Sequence, residues 1–66
     1  MEIWKSRVTF AHLDTGKEKV VTFEMGFADD TPMIEIVDDM VEAAYEQLPH
    51  NGAAYEMIYS DEEQVS

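Results

Sequence analysis

The residues with the clearest chemical potential are five carboxylates that recur at helical spacing. At 100° per residue they fall within an arc of roughly 100° on one side of a helix. We call this set the acidic stripe: Glu35, Asp38, Asp39, Glu42 and Glu46. Like charges three or four residues apart each cost a few tenths of a kcal/mol, and no lysine or arginine in this stretch offsets them. A solvated helix face alone does not require such an arrangement.

The pitch of the acidic stripe is close to that of nucleic-acid phosphates. Residues 35–46 cover about 16 Å of helix, which gives one charge per roughly 4 Å. One strand of duplex DNA presents a phosphate about every 3.4 Å of its axis. We therefore expect the stripe to imitate a phosphate backbone. Asp29 and Asp30 at the helix start, and the acidic run 61–63, would extend the row if the fold brings them alongside.

The other polar side chains give little indication of catalysis or metal binding. His12 and His50 lie in different elements, and neither has a His or Glu partner at metal-ligand spacing. The chain has no cysteine, no Gly-x-Ser-x-Gly sequence and no Asp-x-Asp-x-Asp-Gly calcium loop. Its 66 residues also leave little room for a closed pocket. We expect no cofactor, no metal site and no enzymatic activity.

The net charge of −11 is distributed unevenly along the chain. All four basic residues lie in the first 19 positions, where three acids leave a sum of +1, and the remaining 47 residues hold twelve acids and no base. This charge argues against nucleic acid or an anionic membrane as a direct ligand, because both are polyanions. The chain shows neither a secretory signal nor a transmembrane stretch, which favours a cytoplasmic location.

Hydropathy patterns predict the elements that must position these charges. Residues 3–13 and 18–27 alternate apolar and polar side chains around an Asp- and Gly-containing turn, which indicates a β-hairpin. Residues 53–59 alternate again and predict a third strand, with Tyr55, Met57 and Tyr59 on one face. Residues 61–66 have the composition of a frayed acidic tail after a domain spanning 1–60.

An amphipathic helix is expected between the second and third strands. Thr31 is placed as the N-cap and Pro32 as the first helical residue, and Pro49 ends a helix over 33–48. The expected apolar face comprises Ile34, Val37, Met40, Val41, Ala44, Tyr45 and Leu48. The fold class is thus α+β: a single small ββαβ domain with a three-stranded antiparallel sheet and one helix packed on one face.

The sheet face opposite the helix would remain open. Tyr55, Met57 and Tyr59 are candidates for an apolar interface on that face. A patch of this kind would mark a homodimer contact or the apolar centre of a partner site.

We expect a non-enzymatic inhibitor or modulator that binds a basic, nucleic-acid-handling host protein through the acidic stripe. In size and charge the chain resembles the small acidic single-domain proteins that phages encode to block host machinery. The alternative is a structural or protein–protein interaction module, a homodimer or assembly component whose acids only confer solubility.

Overall fold

A computed structural model describes residues 1–66 as three strands, one α-helix and one 3₁₀ turn. These are β1 (Glu2–His12), β2 (Glu18–Phe27), α1 (Met33–Glu46), the 3₁₀ turn (Pro49–Gly52) and β3 (Tyr55–Gln64). The antiparallel sheet has the order β2-β1-β3, so β1 is central and both later strands are edges. With α1 packed against the sheet, the expected ββαβ fold is confirmed.

The hairpin between β1 and β2 forms where the sequence predicts it. Gly16 adopts a positive φ of 72°, a conformation that glycine reaches without a steric penalty. The Gly16 N–H donates to the His12 carbonyl at 2.8 Å, and the His12 N–H donates to the Lys17 carbonyl at 2.8 Å. These bonds set the register that places Val8 opposite Val21.

The core lies between α1 and the strands β1 and β2. One cluster contains Val8, Phe10 and Val21 under the C-terminal half of the helix, where Ala44 and Leu48 pack. A second cluster joins Phe27 to Ile36 and Met40, with Trp4, Phe23 and Met25 packed around it. The alternation expected for both hairpin strands therefore directs most of their large apolar residues to the helix side, whereas Ile3 and Val20 lie on the open face.

The helix begins at Met33 as predicted, but its N-cap and its C-terminal end differ from the prediction. Pro32, not Thr31, is the N-cap, and no side chain caps the helix there. The Thr31 hydroxyl instead donates to the Ala28 carbonyl at 2.7 Å, within the preceding turn. At the other end the helix stops at Glu46, because Leu48 is extended (φ −91°, ψ 154°), as a residue that precedes proline prefers.

The buried face of α1 is also rotated from the one expected. The periodicity predicts Ile34 in the core, yet Ile34 is 73% exposed, whereas Ile36 is only 1% exposed. Residues two apart lie about 200° apart around a helix, so both cannot face the sheet. Ile36, Met40 and Ala44 are the buried residues of α1, at four-residue intervals.

The C-terminal residues are a strand instead of a frayed tail. β3 continues to Gln64 and pairs with β1 as far as Trp4. This pairing places Asp61 opposite Arg7 and Glu63 opposite Lys5. Opposite charges on directly paired positions stabilise a sheet, which accounts for an acidic run that remains in the strand.

The two isoleucines of α1 provide a matched test of this packing. We expect Ile36→Ala to lower the free energy of unfolding by about 2–5 kcal/mol, because it opens a cavity under the helix. Ile34→Ala should change it by less than about 0.5 kcal/mol, since that side chain is mostly in solvent. Urea unfolding followed by circular dichroism measures both. Equal losses in the two variants would contradict the orientation of the helix.

Candidate functional site

All five carboxylates of the acidic stripe lie on α1 and are exposed. The packing of Ile36, Met40 and Ala44 against the sheet turns the stripe to the opposite side, toward solvent. No basic residue lies in the last turn of the helix, where it would favour the helix dipole. The helix therefore presents one continuous negative surface along its length.

No cation of the chain neutralises this surface. The only ion pair within 4 Å joins the Met1 amino group to Asp29, whose carboxylate oxygen is 2.9 Å away. Lys5 and Arg7 are exposed on β1, at positions that alternate with the buried Ser6 and Val8 and so face away from the helix. The acidic stripe and these bases thus lie on opposite sides of the molecule.

Asp29 and Asp30 occupy the turn between β2 and α1 and are exposed. Because they precede the helix, they stand at its N-terminal end and not within the angular arc of the stripe. They add negative charge where the helix dipole favours it. Asp29 is in addition the carboxylate that contacts the Met1 amino group.

The acidic run 61–63 does not extend the stripe as a row, because successive strand residues point to opposite faces. Asp61 and Glu63 lie on the open face of the sheet with Arg7 and Lys5, and these four side chains line one shallow depression. We call this set the charged row. In the charged row, the two bases of the central strand β1 therefore stand directly opposite two acids of β3.

Glu62 lies on the helix side of β3 and contacts two serines. It accepts hydrogen bonds from the hydroxyls of Ser6 (3.0 Å) and Ser60 (3.3 Å). Ser6 is fully buried, so this bond satisfies a hydroxyl that would otherwise be costly to bury. Local sequence patterns do not predict this contact, because it depends on the pairing of β1 with a segment whose composition predicts a frayed tail.

The candidate apolar interface does not form as expected, because Tyr55, Met57 and Tyr59 do not share a face. A β-bulge shifts the register so that Tyr59 pairs with Thr9 while Met57 pairs with Phe10. Met57 and Tyr55 are therefore on the helix side with Phe10, and Tyr59 is on the open side. Tyr59 is 61% exposed and Met57 39% exposed.

The two histidines lie at turns of the chain: His12 at the hairpin turn and His50 in the 3₁₀ turn. The His12 Nδ1 accepts hydrogen bonds from the backbone N–H groups of Asp14 (3.2 Å) and Thr15 (3.4 Å) in the hairpin turn. Its ring packs edge-on against Tyr55, with centroids 5.2 Å apart. His50 is exposed in the 3₁₀ turn with a positive φ of 54°. No three histidine, aspartate or glutamate side chains come together as a metal-binding group.

Comparison with known proteins found no match among family models, curated proteins or solved structures. The α-helix is neither long enough nor apolar enough to cross a membrane. The arguments for function therefore rest on the surface of this chain.

Repulsion within the acidic stripe is measurable as a stability cost. Glu42 has Asp38, Asp39 and Glu46 as like-charged neighbours three or four residues away. We expect Glu42→Gln to raise the free energy of unfolding by about 0.5–1 kcal/mol in low salt, because it removes these repulsions at little cost in helix propensity. Urea unfolding at low and high sodium chloride should show that the gain shrinks as salt screens the charges.

Glu24→Gln is the control for this effect. Glu24 pairs with Lys5 across β1 and β2, so its neutralisation removes an attraction instead of a repulsion. The free energy of unfolding should not rise. An equal rise in both variants would show that total charge, and not the stripe, determines the cost.

Proposed function

We propose that the chain is a non-enzymatic modulator that binds a basic, nucleic-acid-handling protein through its acidic stripe. The observation that carries this proposal is that all five exposed carboxylates of α1 lack a cationic partner within the molecule. Repulsion among them is a standing cost that solubility alone does not require. A basic groove of a partner protein would supply the missing counter-charge.

The mode of binding follows from the spacing of the charges. A groove that holds a phosphate backbone positions lysines and arginines for one negative charge about every 3.4 Å. The stripe offers one per roughly 4 Å over about 16 Å. It would therefore occupy such a groove in place of nucleic acid and compete with it.

Rigidity supports the same proposal. The stripe lies on a helix that two core clusters hold against the sheet, so its charges are arranged before binding. A preorganised surface loses less conformational entropy on association than a disordered acidic tail. Opposite net charges would also accelerate encounter, with a rate that falls as salt increases. We also propose a phage origin, which the small size and the negative charge of the chain support. The proposed location is the cytoplasm.

The second candidate is a homodimer or assembly module that uses the open face of the sheet. Tyr59 and Val20 are both exposed there, and they flank Thr9 on either side of the central strand. The charged row next to them limits the apolar area. Sedimentation equilibrium distinguishes the candidates: a tight dimer unaffected by salt, with no affinity for basic proteins, would favour the module.

The binding proposal is tested by neutralising part of the stripe. Immobilised wild-type chain and the triple variant Glu35→Gln, Asp39→Asn, Glu42→Gln are exposed to a nuclease-treated host lysate at moderate salt. We expect the wild type to retain basic nucleic-acid-binding proteins, identified by mass spectrometry, and the variant to retain them at least about tenfold less, because charge-assisted contacts are lost.

The matched control removes three charges elsewhere. Asp14→Asn, Glu18→Gln, Glu24→Gln carries the same net charge as the stripe variant, and all three positions are exposed on the hairpin. It should retain the wild-type set of proteins. Equal loss in both variants would show nonspecific attraction, and no loss in the stripe variant would refute the proposal.

A further inference from the structure

The two free edges of the sheet differ in charge. β2 carries two acids and one base, Glu18, Glu24 and Lys19. β3 carries four acids and no base: Glu56, Asp61, Glu62 and Glu63. Both strands present one unpaired backbone edge to their surroundings, because β1 lies between them. The edges are therefore equivalent in topology and different in the partner that they favour.

The ladder geometry identifies which backbone groups of β3 are free. The Leu13 N–H donates to the Ala54 carbonyl and the Val65 N–H donates to the Ile3 carbonyl, both at 2.8 Å, so odd-numbered positions of β1 bond toward β3. Arg7 and Lys5 pair with Asp61 and Glu63, so these two residues of β3 bond back to β1. Hydrogen-bonded and non-hydrogen-bonded pairs alternate along an antiparallel ladder, so the residues on either side of them do not. The N–H and C=O groups of Ser60, Glu62 and Gln64 consequently point outward, away from β1.

The part of β3 before the bulge is different. There the Met57 N–H donates to the Tyr45 hydroxyl of α1 at 3.3 Å, so the helix covers that end of the edge. The free edge is thus the segment 60–64 beyond the bulge. Exposed Met57, Ile58 and Tyr59 adjoin it and offer apolar contacts to a strand laid alongside.

The acidic stripe borders the same flank. Tyr45 reaches β3, and Asp38 lies seven residues before it, which places both on nearly the same side of the helix. A partner seated on the stripe is therefore beside the β3 edge. A second copy of this chain is a poor occupant, since it would bring the same acids against Asp61, Glu62 and Glu63.

We propose that a basic, extended segment of the partner adds to β3 as a fourth strand along residues 60–64. Backbone hydrogen bonds to Ser60, Glu62 and Gln64 give the geometry, and the flanking carboxylates select lysine and arginine. The inference rests on the proposed function for the basic character of the partner. To that function, the inference adds the place where the partner segment binds, the free edge of β3, and the extended conformation in which it binds.

The test uses the full chain and a defined probe, a ten-residue peptide of alternating lysine and threonine. Amide hydrogen exchange is measured by NMR with and without saturating peptide at low salt. We expect exchange at Ser60, Glu62 and Gln64 to slow by at least about tenfold, because outward N–H groups become hydrogen-bonded. The same lysine–threonine peptide with every backbone nitrogen methylated has the same charge and should give no protection, because methylation removes all of its N–H groups and blocks close approach to the strand edge.

Substitutions at Gln64 test the backbone contact directly. Gln64→Pro removes one outward N–H at an edge position where proline is tolerated, and Gln64→Ala keeps it. We expect the proline variant to bind the lysine–threonine peptide about threefold to tenfold more weakly than the alanine variant. Equal affinity of the two variants, or no binding of the peptide to the wild-type chain, would overturn the inference.

The stripe variant separates this inference from the proposed function. If the edge amides of the wild type remain unprotected while the stripe variant loses its captured proteins, the edge inference is wrong and the stripe proposal stands. If the edge amides are protected while the stripe variant captures the same proteins as the wild type, the stripe proposal is wrong and the edge inference stands.

Discussion

The packing of Ile36, Met40, Ala44 and Leu48 against the sheet determines the direction of every charge on the helix. Only ten of 66 residues are buried; α1 supplies Ile36, Met40 and Ala44, and Leu48 follows the end of the helix. A chain of this size has little stability in reserve, so this contact must also offset the repulsion along the opposite face. A modest core thus holds five like charges in a fixed row, and the geometry of that row depends on it.

Charge is separated in space as well as along the chain. On the open face of the sheet, Lys5 stands between Glu24 and Glu63, and Arg7 pairs with Asp61. These opposite charges offset part of the repulsion among the C-terminal acids of β3. The helix has no such balance. All the bases belong to the hairpin, and the helix that carries the acidic stripe has none, so the basic partner proposed above would supply the counter-charge that the stripe lacks.

The hairpin, the helix and the exposure of the stripe could be predicted because each depends on local periodicity or turn chemistry. Three features could not. Ile36, and not Ile34, lies in the core, because the apolar residues of the helix allow more than one buried face and packing against the sheet determines which one is used. The bulge that separates Met57 from Tyr59 arises from pairing with β1. The ordered run 61–63 depends on charges more than fifty residues away in sequence, at Lys5 and Arg7.

The central claim is that the stripe takes the place of a phosphate backbone, and a competition experiment tests it most directly. A basic protein retained by the chain is mixed with fluorescent duplex DNA at constant ionic strength, and the chain is titrated into the complex. Fluorescence anisotropy should fall to the value of free DNA, since one groove cannot hold both polyanions. A ternary complex, with DNA still bound when the chain saturates the protein, would contradict the account.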